Sequence, residues 1–183
     1  MIAWLRFALP IVVLVTAAPG EAAPLWSPTV DGIHARLVVE PTKEAGKPQL
    51  ALWLEVENVS NTDGGIPLPW GYVGDMLQLA LEDGGKPVTP AGIGGSHASG
   101  PPYVVALPVG ATLRVPINKS SYESPQPGKT LFRPLTFQAW DVPQRHGKLT
   151  VRGTLTPHAL DKGAKPGPRA WTKPIELPAV ELP

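Results

Sequence analysis

The chain has no cysteine among its 183 residues. That absence excludes disulfides, thiol catalysis, iron–sulfur clusters and thiolate zinc sites. Charge is sparse as well, at 17% Asp, Glu, Lys and Arg, with a formal net charge of +1. No one-sided field therefore draws the chain to nucleic acid or to an acidic partner. Long apolar runs are missing too. The longest stretch without a charge near the N-terminus runs from Phe7 to Gly20, 14 residues that include Pro10 and Pro19, whereas a spanning helix needs roughly 20. Abundance lies elsewhere: 24 Pro and 19 Gly make up nearly a quarter of the chain, against a usual combined share of about 12%. Pro removes an amide donor and Gly costs backbone entropy, so long helices are disfavoured. Hydrophobic residues at 43% argue for a packed core, and the length suits one domain.

The N-terminus has the layout of an export signal. Arg6 supplies a positive start, Phe7 to Ala18 the apolar stretch, and Gly20-Glu21-Ala22 the small residues flanking a cut after Ala22. Residues 1–22 are thus expected to form an apolar signal helix and to be removed. Residues 23–32 are expected to form an extended lead-in and residues 33–183 a single domain. Without Cys a lipid-anchored N-terminus is excluded, and no span is expected in the mature chain. Export without disulfides suits a bacterial envelope or secreted protein. On that reading the sequons Asn58-Val59-Ser60 and Asn118-Lys119-Ser120 carry no glycan.

Through the rest of the chain, apolar residues recur with a period of two, the signature of half-buried strands. Ile33, Ala35, Leu37 and Val39 form one inward set, with His34 and Arg36 opposite. Leu50, Leu52, Leu54 and Val56 form another, with Trp53, Glu55 and Glu57 opposite. Leu77, Leu79 and Leu81 lead into Asp83-Gly84-Gly85-Lys86, a hairpin signal. Tyr103 to Leu107 is short and apolar. Leu113, Val115 and Ile117 alternate with Thr112, Arg114 and Pro116, and Pro116 predicts an edge or a break, since it cannot donate to a ladder. Leu131 to Trp140 is read as one strand with Leu135, Phe137 and Ala139 on one face. Lys148 to Thr156 is the clearest strand, and a last one spans Trp171 to Leu177, with Pro174 and Pro178 marking an edge. Seven to nine short strands joined by polar, Gly- and Pro-rich loops predict an all-β antiparallel sandwich.

Three segments carry a family likeness. Leu50 to Ser60 (LALWLEVENVS) resembles the opening strand and Asn-x-Ser turn of bacterial immunoglobulin-like domains. Tyr103 to Gly110 (YVVALPVG) resembles the turn before their next strand, and Gly147 to Leu155 (GKLTVRGTL) their late strand. The order is also similar to that of intracellular proteinase-inhibitor-like sandwich domains. The resemblance implies an immunoglobulin-like β-sandwich. It does not carry inhibitory activity across, because an export signal departs from an intracellular inhibitor, and fold alone does not fix function.

No catalytic set stands out. Gly94-Gly95-Ser96-His97-Ala98 approaches a nucleophile elbow, but no strand leads into it and no helical pattern follows. His34, His97, His146 and His158 lack the local spacing of a metal site; His97, His146 and Asp141 could meet only through the fold. Asp63, Asp75 and Asp83 lie near Gly and read as turn formers. Glu55 and Glu57, two apart on one strand face, have a separation that a glycosidase pair would tolerate, yet paired acids on a solvated face are ordinary. The aromatics offer more. Trp70, Tyr72, Trp53 and Tyr103 are the candidate ligand-binding residues, since flat π faces stack on sugars, although Trp also serves small sandwiches as core. The expectation is an exported, non-catalytic binding or structural protein with no cofactor and no metal. Its partner would be a protein or glycan of the envelope or extracellular space. The alternatives are a carbohydrate-binding module, a small secreted hydrolase around His97, or an inhibitor-like module using the loop from Pro87 to Pro102.

Overall fold

The computed structural model describes residues 25–44, 47–68, 76–93, 103–118, 122–123, 129–132, 138–143, 148–157 and 169–182. These residues contain strands and turns and no helix. The strands are β1 (Ile33–Glu44), β2 (Lys47–Asn58), β3 (Gly64–Leu68), β4 (Leu77–Asp83), β5 (Lys86–Pro87), β6 (Gly92–Ile93) and β7 (Tyr103–Leu107). They continue with β8 (Thr112–Asn118), β9 (Tyr122–Glu123), β10 (Lys129–Phe132), β11 (Gln138–Pro143), β12 (Leu149–Leu155), β13 (Arg169–Ala170) and β14 (Ile175–Leu182). Nine of them have five residues or more, and the two-residue strands β5, β6, β9 and β13 lie at sheet edges.

Four sheets result, ordered β1-β2-β8, β14-β12-β4-β5, β13-β3-β7 and β6-β11-β10-β9. All pairings are antiparallel except β13 with β3. The period-two pattern explains the first two sheets directly. Ile33, Ala35 and Leu37 of β1 and Leu52, Leu54 and Val56 of β2 are all 2% exposed or less. Leu77, Leu79 and Leu81 of β4 and Leu149, Val151 and Leu155 of β12 are buried, and all these side chains belong to one hydrophobic cluster.

Gly153 sits in the middle of β12, where a Cβ would lie 2.8 Å from the Gln78 carbonyl oxygen and 2.9 Å from Leu79 Cδ2. The β12–β14 register also shifts between Val151 and Gly153. Glycine is therefore required here by the close approach of β4. Two large aromatics complete the core. Trp140 is buried against Phe132, with ring centroids 5.8 Å apart, and its Nε1 donates to the Val88 carbonyl at 3.1 Å. Trp171, also buried, stands between β13 and β14 and donates its backbone N–H to Gly65.

The edges fall where proline predicts. β8 and β14 are both terminal strands of their sheets, and the β2–β8 register shifts where Trp53 faces Pro116. The hairpin at Gly84-Gly85 joins β4 to β5, pairing Asp83 with Lys86. Two expectations are corrected. The last strand is Ile175–Leu182 rather than Trp171 to Leu177, with Trp171 and Lys173 preceding it. Leu131 to Trp140 is not a single strand; β10 and β11 are separate strands that pair with each other, Phe132 opposite Trp140. Pro134 lies in the sequence between them, and a proline has no amide hydrogen to donate to a ladder, which favours a break there. Leu135 and Phe137 lie outside the described residues.

Asn58 ends β2 and is completely buried. Its Nδ2 donates to the carbonyls of Leu107 at 2.8 Å and Thr62 at 2.9 Å. Its Oδ1 accepts from the Ser60 backbone N–H at 3.0 Å and hydroxyl at 2.6 Å. The first sequon is thus a folded Asx turn, and its amide is closed to modification in the folded chain. Asn118 ends β8.

Candidate functional site

The face of the β1–β2–β8 sheet turned away from the core gathers most of the polar chemistry that the structure describes. Strand register dictates its composition. His34 faces Glu57, Arg36 faces Glu55 and Val38 faces Trp53 across β1 and β2. Across β2 and β8, Glu57 faces Thr112, Glu55 faces Arg114 and Trp53 faces Pro116. Glu55 on the middle strand is thus flanked by Arg36 and Arg114 on the outer ones, the cross-strand arrangement that favours opposite charges, while Glu57 lies between His34 and Thr112.

Each row closes with short contacts. His34 Nε2 lies 3.0 Å from Glu57 Oε2. Arg36 Nε donates to Glu55 Oε2 at 2.8 Å, and Arg114 Nε reaches Glu55 Oε1 at 3.3 Å, so one carboxylate is held by two guanidinium groups. Arg114 also contacts Glu40 through Nη2, at 2.5 Å. The Glu55 side chain is only 12% exposed, and burial strengthens such pairs relative to surface ones. Two indole rings complete the face. Arg114 lies over the Trp53 ring at 4.4 Å from its centroid. Trp26 is brought in by the N-terminal segment. It stacks on His34, centroids 3.9 Å apart and planes within 7°, and takes Arg36 over its ring at 4.1 Å. Arg prefers such planar stacking because its delocalised charge meets the negative π face.

The arrangement holds flat π and guanidinium surfaces in fixed places and leaves Glu40 and Glu55 paired with arginines. Glu55 and Glu57 share the face as the sequence implies, but Glu55 is the counter-ion of two arginines and Glu57 is bonded to His34, so they are not a pair flanking an open space. Among the described residues no three His, Asp or Glu gather as a metal set.

Of the candidate ligand-binding residues, Trp53 stands in this face, half-buried, with its Nε1 buried and without a hydrogen-bond partner among the described residues. Tyr103 opens β7, opposite Leu68 on β3, in a different sheet from Trp53. Trp70 and Tyr72 lie outside the described residues, as do Asp75, Ser96, His97, His146 and His158. Trp26, His34, Arg36, Arg114 and Glu40 are members of the face that are not among the four candidate ligand-binding residues, although the alternation puts His34 and Arg36 on the outward side of β1. The signal that could have found Trp26 is Asp31-Gly32, a two-residue turn sequence that folds the lead-in back along β1.

A second polar feature lies at one end of the β1–β2 pair. A depression of about 230 Å³ is lined by Asp31, Asn58, Ser60, Asn61, Thr62 and Asp63 among others. Its carboxylates are engaged within the fold. Asp31 accepts from the Thr172 backbone N–H and hydroxyl and lies 3.7 Å from Lys173 Nζ, and Asp63 accepts from the Val109 N–H. No protein-family model matches the chain, and neither does any curated protein or solved structure.

Proposed function

We propose that the chain is an exported, non-catalytic protein on an immunoglobulin-like β-sandwich, acting as a binding or structural module in the bacterial envelope or extracellular space. Residues 1–22 serve as its export signal. One observation carries the reading. The charged and aromatic side chains of the β1–β2–β8 face are bound to one another, Arg114 to Glu40, Glu55 and Trp53 at once, and do not converge on an open point where a substrate atom could sit. Such a face suits recognition, in which preformed flat surfaces meet a partner at small entropic cost. The partner is a protein or glycan of the same compartment. Arg114 already covers a face of the Trp53 ring, which favours the protein partner over a sugar stacked on that indole.

The test is a pair of measurements on purified protein. Ester, glycoside and peptide substrates are expected to show no turnover. Binding to a defined envelope component, once captured, is expected to fall with Arg114→Glu while the fold persists. A reproducible hydrolytic activity abolished by one substitution, at His97 for instance, would overturn the reading. The mass of the exported product tests the signal separately, with cleavage expected after Ala22.

A further inference from the structure

The N-terminal segment 25–30 forms an arm on β1. It runs back along the edge of β1 that faces away from β2. Ser27 is buried, its N–H donates to the Ala35 carbonyl at 2.9 Å, and its hydroxyl accepts from the Ala35 N–H at 3.0 Å. Val30 and Ile33 exchange backbone bonds at 2.7 and 2.9 Å. Trp26 adds the side-chain lock, clipped against His34 and Arg36. At the start of the arm Leu25 is 76% exposed. The arm thus holds β1 by one aromatic lock and a few main-chain bonds, as an added strand does when a peptide extends a sheet edge.

Only Asp31 and Gly32 join the arm to β1, and both have left-handed backbone, φ 52° and 83°. Gly32 cannot carry a side chain, because a Cβ would lie 2.6 Å from Ser60 Cβ. The tight turn is pinned from outside by Thr172 and Lys173 on Asp31. If the turn straightens, the arm no longer reaches its own β1, but every arm contact can be remade on another copy.

We infer that the outer edge of β1, with its His34–Arg36 clip, is a strand-acceptor site whose second occupant is the arm of another copy of this chain. The occupant follows from what is seated there. The edge already fits a segment with Trp26 over the clip and Ser27 against Ala35, and a second copy presents that same segment. Exchange through a short hinge conserves the contacts of the arm and gives up the turn with its Asp31 bonds to Thr172.

The experiment replaces both turn residues. Asp31→Val with Gly32→Val puts β-branched side chains where left-handed backbone excludes them. The expected result is a species of twice the monomer mass in sedimentation equilibrium, which returns to monomer when Trp26→Ala is added. A doubly substituted protein that stays monomeric, or a dimer that survives Trp26→Ala, overturns the inference. Should the turn variant fail to fold, a fluorescent peptide of residues 23–30 is titrated onto a Trp26→Ala, Ser27→Pro protein, whose own arm is weakened. Saturable binding that weakens by about tenfold or more when the peptide's Trp is replaced by Ala supports the acceptor edge. No binding overturns it.

Discussion

Asn58 offers the sharpest test of how this fold is held. Its side chain makes four hydrogen bonds from a position with no exposure. Replacement by Ala removes all four. Thr62 is exposed and Ser60 partly so, so water can serve them afterwards. The Leu107 carbonyl lies in a buried bond and cannot be served so readily. A net loss of about 1 kcal/mol for each of the two donated bonds, plus about 1–2 kcal/mol for the stranded carbonyl, puts Asn58→Ala at about 3–4 kcal/mol.

Asn58→Asp separates the hydrogen-bond argument from simple volume loss. The two side chains are nearly isosteric. The oxygen that accepts from Ser60 is kept, but the NH2 group facing two carbonyls becomes a second oxygen. Ionised, it repels both; protonated, it can donate to one. The folded state therefore holds the introduced carboxyl protonated, with its pKa raised above the unfolded value near 3.9. A raised folded pKa means that the native state binds more protons, so the stability of this variant falls as pH rises from about 4 toward the folded pKa. The deficit relative to the parent should be smallest near pH 4 and grow by up to about 1.4 kcal/mol per pH unit over that window. Urea unfolding of both proteins at several pH values, compared at equal slope, measures it. A deficit that does not change between pH 4.5 and 7, or an Asn58→Ala protein within about 1 kcal/mol of the parent, would refute the reasoning.

Gly153→Ala should cost about 2–3 kcal/mol in the same unfolding assay, because its methyl meets the Gln78 carbonyl rather than a movable side chain; a cost within about 0.5 kcal/mol would mean that β4 yields freely. Trp140→Phe removes the bond to Val88 and leaves part of an indole-sized hole beside Phe132; a loss of about 2–4 kcal/mol is expected by thermal or chemical denaturation. Arg114→Ala should cost only about 1 kcal/mol, since the side chain is 38% exposed, and raising the salt concentration should shrink the difference. Trp53→Phe should alter the near-ultraviolet circular dichroism of the native protein while changing stability less than Trp140→Phe, because Trp53 is half-buried and Trp140 is 1% exposed.

The sheets are legible in the sequence wherever one face of a strand is buried. Ile33, Ala35 and Leu37, or Leu149, Val151 and Leu155, announce both the strand and its inward side, because a pleated backbone admits only that alternation. The break between β10 and β11 is less legible. An apolar stretch from Leu131 to Trp140 reads continuously by hydrophobicity, and only Pro134 argues against it. Asn58 is hidden for another reason. A buried Asn in a loop signature looks the same in sequence as an exposed glycan acceptor, and what separates them is the Leu107 carbonyl, 49 residues away.

The outer face was half legible. Period two places His34 and Arg36 on one side of β1 and Glu55 and Glu57 on one side of β2, but it does not say which strands become neighbours. Register supplies that, and it sets Glu55 of the middle strand between Arg36 and Arg114 of the outer ones, with Glu57 beside His34. The consequence bears on what the face can bind. A partner relying on charge would have to draw Arg114 from Glu40, Glu55 and the Trp53 ring together, giving up about as much as it gained. A partner that instead covers the indole and guanidinium planes as they stand disturbs none of these bonds. If the proposed binding role holds, recognition on this face would rest on shape and π contact, with an affinity that depends weakly on ionic strength.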